Sequence, residues 1–330
     1  MIELDNTYRS AFVSCKRKYY LSRILSLTPA QGSCAIRYGS TFHALLEGYY
    51  SWIKEKGWDQ REEAIKRAFS FGEAVWKNES SKKSFPEDDY RSLQNAFEAF
   101  VAYCTEYSFD KDLLEVVETE RAFKIKMEIS PKEKRRFPLL KGEEIYFTGI
   151  LDMQVRMSEL PYIMEHKTTS QSLSIQVGRL HRSPQILGYT YAGKAIPQLR
   201  AIGCIVNLHQ ISSRKKNDGT WGKLNISFQR SPEIFSDRDL NLWRESFLST
   251  CNEILLAQET NNWPMEFSSC YSFGRCRYCD LCERDISLKE LTEDVSQDIL
   301  PEGYIKDRTN IFEISTSGLV AKKERENAIS

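Results

Sequence analysis

The sequence predicts an α/β chain of the α+β kind, with a small central mixed sheet and helices gathered mostly before it. Three observations carry this expectation. Apolar residues recur at helical spacing through most of residues 7–108. From about residue 113 the pattern changes to the alternation and β-rich composition of strands. A long amphipathic stretch over 236–259 then restores the helical period.

Taken in order, residues 7–24 read as one helix. Tyr8, Phe12, Cys15, Tyr19 and Ile24 fall near one face, while Arg9, Lys16, Arg17 and Lys18 populate others. A loop at 28–35 leads to a helix over 38–50, with Phe42, Leu45, Leu46 and Tyr49 as its apolar face. His43 and Glu47 share another face at i, i+4. Residues 60–78 and 86–108 read as two packing helices, the second with Pro86 in its first turn and Glu87 and Asp88 at the positive end of its dipole. Strands are expected over about 113–127, 144–156 and 161–166, with a basic loop at 131–136 between the first two. A helix over 182–195 carries Pro184 in its first turn. Residues 201–210 and 224–228 read as a strand pair, joined through a basic tip whose Asp218-Gly219 suits a tight turn with positive φ. Ser236 caps the last helix, striped by Leu240, Trp243, Phe247, Cys251, Ile254 and Leu255. The polar tail over 286–330 reads as irregular and partly mobile.

Composition narrows the function classes. The chain has 330 residues, 41% hydrophobic and 28% charged, ordinary for a soluble protein. Lys plus Arg and Asp plus Glu both number 46, so the net charge is zero. That argues against nonspecific coating of nucleic acid and leaves room for a local basic groove, to which 131–136 and 214–216 could contribute. No apolar run approaches the ~20 residues that span a membrane. The acidic start, Met1-Ile2-Glu3-Leu4-Asp5, lacks the order of a signal peptide, which predicts a cytoplasmic protein. Nine cysteines, an odd count, argue against a disulfide framework. Cys34, Cys104, Cys204 and Cys251 sit in apolar patterns and read as small buried hydrophobes.

The chemistry concentrates in two places. Gly149-Ile150-Leu151-Asp152 ends one apolar run, and Glu165-His166-Lys167 lies in the next strand. Strand alternation turns Glu165 and Lys167 to one face and His166 to the other. Two carboxylates and a lysine on one face suit a hard divalent cation such as Mg²⁺ or Mn²⁺ beside a cationic helper, a set fitted to phosphodiester hydrolysis. Asp152 and Glu165 would hold the metal. Lys167 would orient or deprotonate the attacking water, or stabilise the transition-state charge. The competing reading is an ordinary exposed Glu/Lys pair. The second place is Cys270, Cys276, Cys279 and Cys282, soft thiolates spaced to hold zinc or an iron–sulfur cluster.

Together these motifs resemble the PD-(D/E)xK nuclease superfamily, specifically its RecB-like branch, which includes recombination nucleases, CRISPR-associated exonucleases and phage-encoded relatives. The resemblance covers roughly 7–285. It rests on Cys15 in Ser-Cys-Lys-Arg-Lys-Tyr-Tyr, Gly39-x3-His43-x3-Glu47, Gly-Ile-Leu-Asp152, Glu165-His-Lys167, Gln185-x3-Tyr189 and the C-terminal cysteines. It implies a restriction-endonuclease-like sheet flanked by helices. It also implies a metal-dependent DNA exonuclease, acting on single strands or ends in recombination, repair or phage DNA processing. His43 would join Asp152 and Glu165 as metal ligands, with Lys167 catalytic and Gln185 and Tyr189 contacting the DNA strand. Glu120 or Glu118 matches a less constant acidic position. Cys15 with three C-terminal cysteines would hold a [4Fe–4S] cluster. The family usually has three such cysteines and this chain has four, so Cys270, Cys276 and Cys282 are expected to bind, with a set including Cys279 as the alternative. The implied module is 1–285, with a helical region over 1–110, a catalytic core over 111–260 and a cysteine cluster over 261–285. A helicase, recombinase or CRISPR-type complex is the implied partner, in the host cytoplasm if the chain is phage-encoded. The rival readings are a non-catalytic nucleic-acid-binding or assembly subunit and a zinc-stabilised protein of unrelated function.

Overall fold

The computed structural model describes residues 1–272, 274–284 and 300–307. The elements run β1 (Ile2–Leu4), α1 (Asn6–Ser14), α2 (Lys16–Tyr19), β2 (Leu27–Pro29), α3 (Cys34–Lys56), α4 (Arg61–Lys82), α5 (Leu93–Glu106) and α6 (Asp110–Leu113). Then come β3 (Leu114–Lys126), α7 (Pro131–Arg136), β4 (Ile145–Met157), β5 (Leu160–Thr169), α8 (Leu173–Leu180) and α9 (Pro184–Ala195). β6 (Gly203–Ser212), β7 (Asn225–Ile234), α10 (Asp237–Glu259), α11 (Cys279–Glu283) and β8 (Tyr304–Lys306) complete the order. The mixed α/β class expected from the sequence is the one found. The chain divides into two compact units. One is drawn from Met1–Gln31, Lys124–Gly149 and Asn241–Asn310, the other chiefly from Gly32–Phe123 and Ile150–Leu240.

The second unit holds the mixed sheet. β3 pairs with β4. β4 and β5 are antiparallel, with Met153 opposite Met164. β5 and β6 are parallel, with Glu165 beside Val206. β6 and β7 are antiparallel, with Val206 opposite Ser231 and Cys204 opposite Glu233. One face, carrying Met153, Tyr162, Met164, Ile205 and Ile211, packs with Tyr38, Phe42, Leu45 and Tyr49 of α3 and Phe100 and Tyr103 of α5. Gly48 lets α4 approach α3 closely, since a Cβ there would stand 3.0 Å from the Ala68 backbone.

That core encloses a charged hub. Asp110 is 1% exposed and Arg230 9% at the side chain, paired at 2.6 Å. Tyr50 donates to Asp110 at 2.9 Å, and Arg230 donates to Tyr103 at 2.8 Å. Asn207 carries the network on to Tyr103, at 2.9 Å. Removing one partner of a buried pair strands the other's charge. Arg230→Met is therefore expected to cost about 3–5 kcal/mol, read as a lowered urea midpoint. A midpoint within error of the parent would contradict the hub's role.

The first unit is built around Leu21, Leu25, Leu27, Tyr278, Leu281 and Tyr304. Here β1 pairs parallel with the start of β4, Ile2 beside Ile145, and β2 pairs antiparallel with β8. The expectation of an irregular tail falls mostly on residues outside those described, but 300–307 does carry β8.

Several local expectations need correction. The helix read over 7–24 breaks at Cys15, which is extended at φ −166° and ψ 117°, and resumes as α2 and a π-helical turn, Tyr20–Ile24. The helix expected from Pro86 starts at Leu93, because Ser92 supplies the cap by accepting from the Asn95 N–H at 3.1 Å. The basic loop 131–136 is a helical turn, fixed by a reciprocal capping box between Ser130 and Glu133. The strand read as 161–166 extends to Leu160–Thr169. α8 was not foreseen, since none of its residues is buried. Three-residue strands such as β1 are too short for alternation to register. The four scattered cysteines, Cys34, Cys104, Cys204 and Cys251, are buried as read.

Candidate active site

The β4–β5 register, continued one pair beyond Met153 and Met164, sets Asp152 opposite Glu165 on one face of the sheet. Lys167 shares that face and meets Glu165 Oε1 at 2.5 Å. His166 turns the other way, as alternation requires. Its ring lies 2.9 Å from Asn207 Nδ2, and its backbone N–H donates to Asp152 Oδ2 at 2.8 Å. α3 brings His43 to the same carboxylate, Nδ1 to Oδ2 at 3.5 Å.

The electrostatics follow from crowding acids in a buried place. Burial opposes charge on His43, yet the Asp152 carboxylate prevails and raises its pKa. Burial likewise opposes Asp152, and His43 beside it holds that carboxyl well below the usual range. Glu165 is 1% exposed; burial, then the Asp152 charge, push it up to about 7 against the pull of Lys167. Burial works against Lys167, but Glu165 and Asp152 raise it, so it stays an ammonium. Burial pushes His166 down to about 3, leaving a neutral imidazole.

Glu120 belongs here as well. One ligand atom each from His43, Glu120 and Asp152 lies within 4.8 Å of the others. Burial, then the charges of Asp152, Glu47 and Glu165, push Glu120 well above the ordinary carboxylate range. Its backbone takes φ +48°, a left-handed turn in the middle of β3 that costs energy for a residue with a Cβ. Glu118 instead pairs with Lys54 on the surface at 2.7 Å. The sequence left these two glutamates equivalent, and no sequence signal marks that backbone turn.

Glu165 stands just outside the trio. Gln185 Nε2 donates to its Oε1 at 2.9 Å, while its buried Oε2 has no hydrogen-bond partner among the described residues. An orphaned carboxylate oxygen beside three converging ligand atoms fits a hard divalent cation. Tyr189, one helical turn beyond Gln185, is buried, and its hydroxyl accepts from Gln185 Nε2 at 3.4 Å. Both residues thus prop Glu165 in this structure.

The cysteines gather separately, within the first unit. The extended backbone at Cys15 turns its side chain off the helix, and Sγ accepts from the Glu266 N–H at 3.4 Å. Cys15, Cys270, Cys276, Cys279 and Cys282 line one cavity with Lys18 and Tyr278. All are free thiols. Cys279 is buried and its Sγ donates to the Cys270 carbonyl at 3.8 Å. Burial pushes Cys282 up to about 11, with Cys15, Cys276 and Cys270 close enough to add to the shift.

A family model described as the PD-(D/E)XK nuclease superfamily matches residues 8–283. No curated protein matches the sequence. Among solved structures, the chain is similar to "Crystal structure of SSO0001" at 12% identity and a TM-score of 0.29, covering 82% of this chain and 94% of that one. A TM-score of that size carries no argument. Among the described residues, no helix is long and apolar enough to cross a membrane.

Proposed function

The chain belongs to the PD-(D/E)XK nuclease superfamily, and on that premise we propose that it is a metal-dependent DNA exonuclease of the RecB-like branch, module 1–285, acting on single strands or ends. Its mixed sheet with flanking helices is consistent with the restriction-endonuclease-like fold of that superfamily. The observation that carries the reading is the convergence of His43, Glu120 and Asp152 beside Glu165 and Lys167.

His43, Glu120, Asp152 and Glu165 would hold Mg²⁺ or Mn²⁺. When bound, such an ion would polarise a phosphate oxygen and lower the pKa of water. Lys167, kept charged by Glu165, stabilises the negative charge that builds on the phosphate oxygens. Gln185 fixes Glu165, and the His166 N–H fixes Asp152. End-labelled linear DNA and a closed circle, each with Mn²⁺ or EDTA, test the reading. Loss of label from the linear substrate alone is expected; equal cutting of the circle would replace exonuclease with endonuclease.

The acid cluster makes metal uptake pH-dependent. The folded, metal-free protein keeps a proton on Glu165 up to about pH 7, whereas an ordinary glutamate releases it near 4.5. This stabilises the metal-free fold below pH 4.5 and is lost as pH rises through 7. Metal binding needs that proton gone. Half-saturating Mn²⁺ is therefore expected to rise up to about tenfold per unit as pH falls below 7, read by titrating Mn²⁺ at pH 6, 7 and 8. A flat response would contradict it.

In the first unit, Cys15, Cys270, Cys276 and Cys282 are proposed to hold a [4Fe–4S] cluster. Two observations support this set: Cys282 has the other three as its thiol neighbours, and Cys279 is buried whereas Cys15, Cys270, Cys276 and Cys282 are half-exposed. Zinc is the alternative. A tetrahedral zinc site needs sulfurs about 3.8 Å apart, and among the described residues no three cysteine sulfurs lie within 4.8 Å of one another.

A further inference from the structure

One buried carboxylate on the sheet face that carries Asp152 and Glu165 is not used by the site described above. The register defines two neighbouring rows across the strands. Asp152, Glu165, Val206 and Ser231 form the first; Gln154, Ile163, Cys204 and Glu233 form the next on the same face. Glu233 is 5% exposed, yet no lysine or arginine pairs with it among the described residues. Its oxygens meet Ser231 Oγ at 3.1 Å and His181 Nδ1 at 2.5 Å. The His181 side chain is 61% exposed. A Cβ at Gly203 would stand 2.3 Å from the Glu233 carbonyl, so the β6–β7 approach at this point admits only glycine.

A buried carboxylate held by an exposed imidazole is a poor stabilising device, because Glu233 is desolvated while its partner stays in water. It is a good way to aim a histidine. With Nδ1 fixed on Glu233, the imidazole presents Nε2 outward. His181 closes α8 and lies two residues before Ser183, the cap of α9, whose Gln185 touches Glu165. Glu233 stands two strands from the Glu165 strand, about 9.6 Å at ~4.8 Å per strand.

We propose that His181, aimed by the buried Glu233, is a subsite for a backbone phosphate of the nucleic-acid strand flanking the reacting phosphate. It rests on the nuclease reading above and adds a strand-holding position to it. Protonated His181 donates Nε2–H to the phosphate oxygen. Glu233 accepts the other N–H and keeps the ring from turning away.

The test is steady-state cleavage of a single-stranded 20-mer at pH 6.0 with saturating Mn²⁺, over a series of salt concentrations. For His181→Ala, KM is expected to rise about tenfold, the scale of one charge-assisted hydrogen bond, with kcat and the melting temperature unchanged. The slope of log KM against log salt should shrink by about 0.7, one phosphate contact on a single strand. His181→Lys should restore both KM and slope, and Glu233→Gln should raise KM severalfold. An unchanged KM and slope in His181→Ala would overturn the subsite, as would a fall in kcat and melting temperature that lysine fails to rescue. If the parent protein does not cleave the 20-mer at all, the nuclease reading fails instead, and binding of the same strand then reads the salt slope directly.

Discussion

Asp152→Ala is expected to lower Mn²⁺-dependent DNA cleavage on the order of 10⁴–10⁶-fold, the loss seen when one member of a tightly interdependent catalytic set is removed. Asp152 is the hub of the site: it faces His43, accepts the His166 N–H and stands opposite Glu165. Its loss removes a ligand and the field that orders His43. Stability should fall as well, because the fold holds Asp152 ionised against burial through His43 and the His166 N–H, and its removal leaves both without their partner. A folded Asp152→Ala protein that still cleaves would contradict this account. Lys167→Ala should also abolish cleavage, again at some cost in stability, because Glu165 then loses its cation.

Cys15→Ala is expected to remove the cluster altogether. Cys15 lies 255 residues from Cys270 in sequence, by 270 − 15, and shares one cavity with it. A cluster that ties such distant segments contributes folding free energy directly. Its loss should cost on the order of 4 kcal/mol or more. Anaerobically purified parent protein should be brown and contain about four irons per chain, with broad thiolate-to-iron absorption near roughly 400 nm. Cys15→Ala should be colourless and melt earlier. Cys279→Ala should keep its iron, since Cys279 is the buried one of the five thiols. A colourless parent carrying zinc would replace the cluster with a zinc site. Iron lost in Cys279→Ala but kept in Cys282→Ala would exchange those two ligands.

How much of this was legible in the sequence depends on whether the signal was local. Asp152, Glu165 and Lys167 were readable because strand alternation is a period of two and an antiparallel pair sets facing residues by register. The hub of Asp110, Arg230, Tyr50 and Tyr103 was not, since its members come from four elements and none has a distinctive neighbour. Cys15 could be placed with the distant cysteines by resemblance alone; the helical period through 7–24 hid the extended residue that frees its side chain. Glu120 was hidden for a related reason. Its entry to the site depends on one left-handed φ within a strand, which composition does not encode. Gln185 and Tyr189 were read as DNA contacts; that Gln185 also holds Glu165 and meets Tyr189 was not legible, because helical spacing fixes which residues share a face but not what that face meets.

The central claim is that these side chains hold a divalent cation that the chain uses to cut DNA. The most direct measurement strips the protein with EDTA, adds back Mn²⁺, and follows release of acid-soluble nucleotide from uniformly labelled single-stranded DNA. The account predicts no release without metal, release that saturates with Mn²⁺, and none from Asp152→Ala at any Mn²⁺ concentration. Release without metal, or equal release by Asp152→Ala, would contradict it.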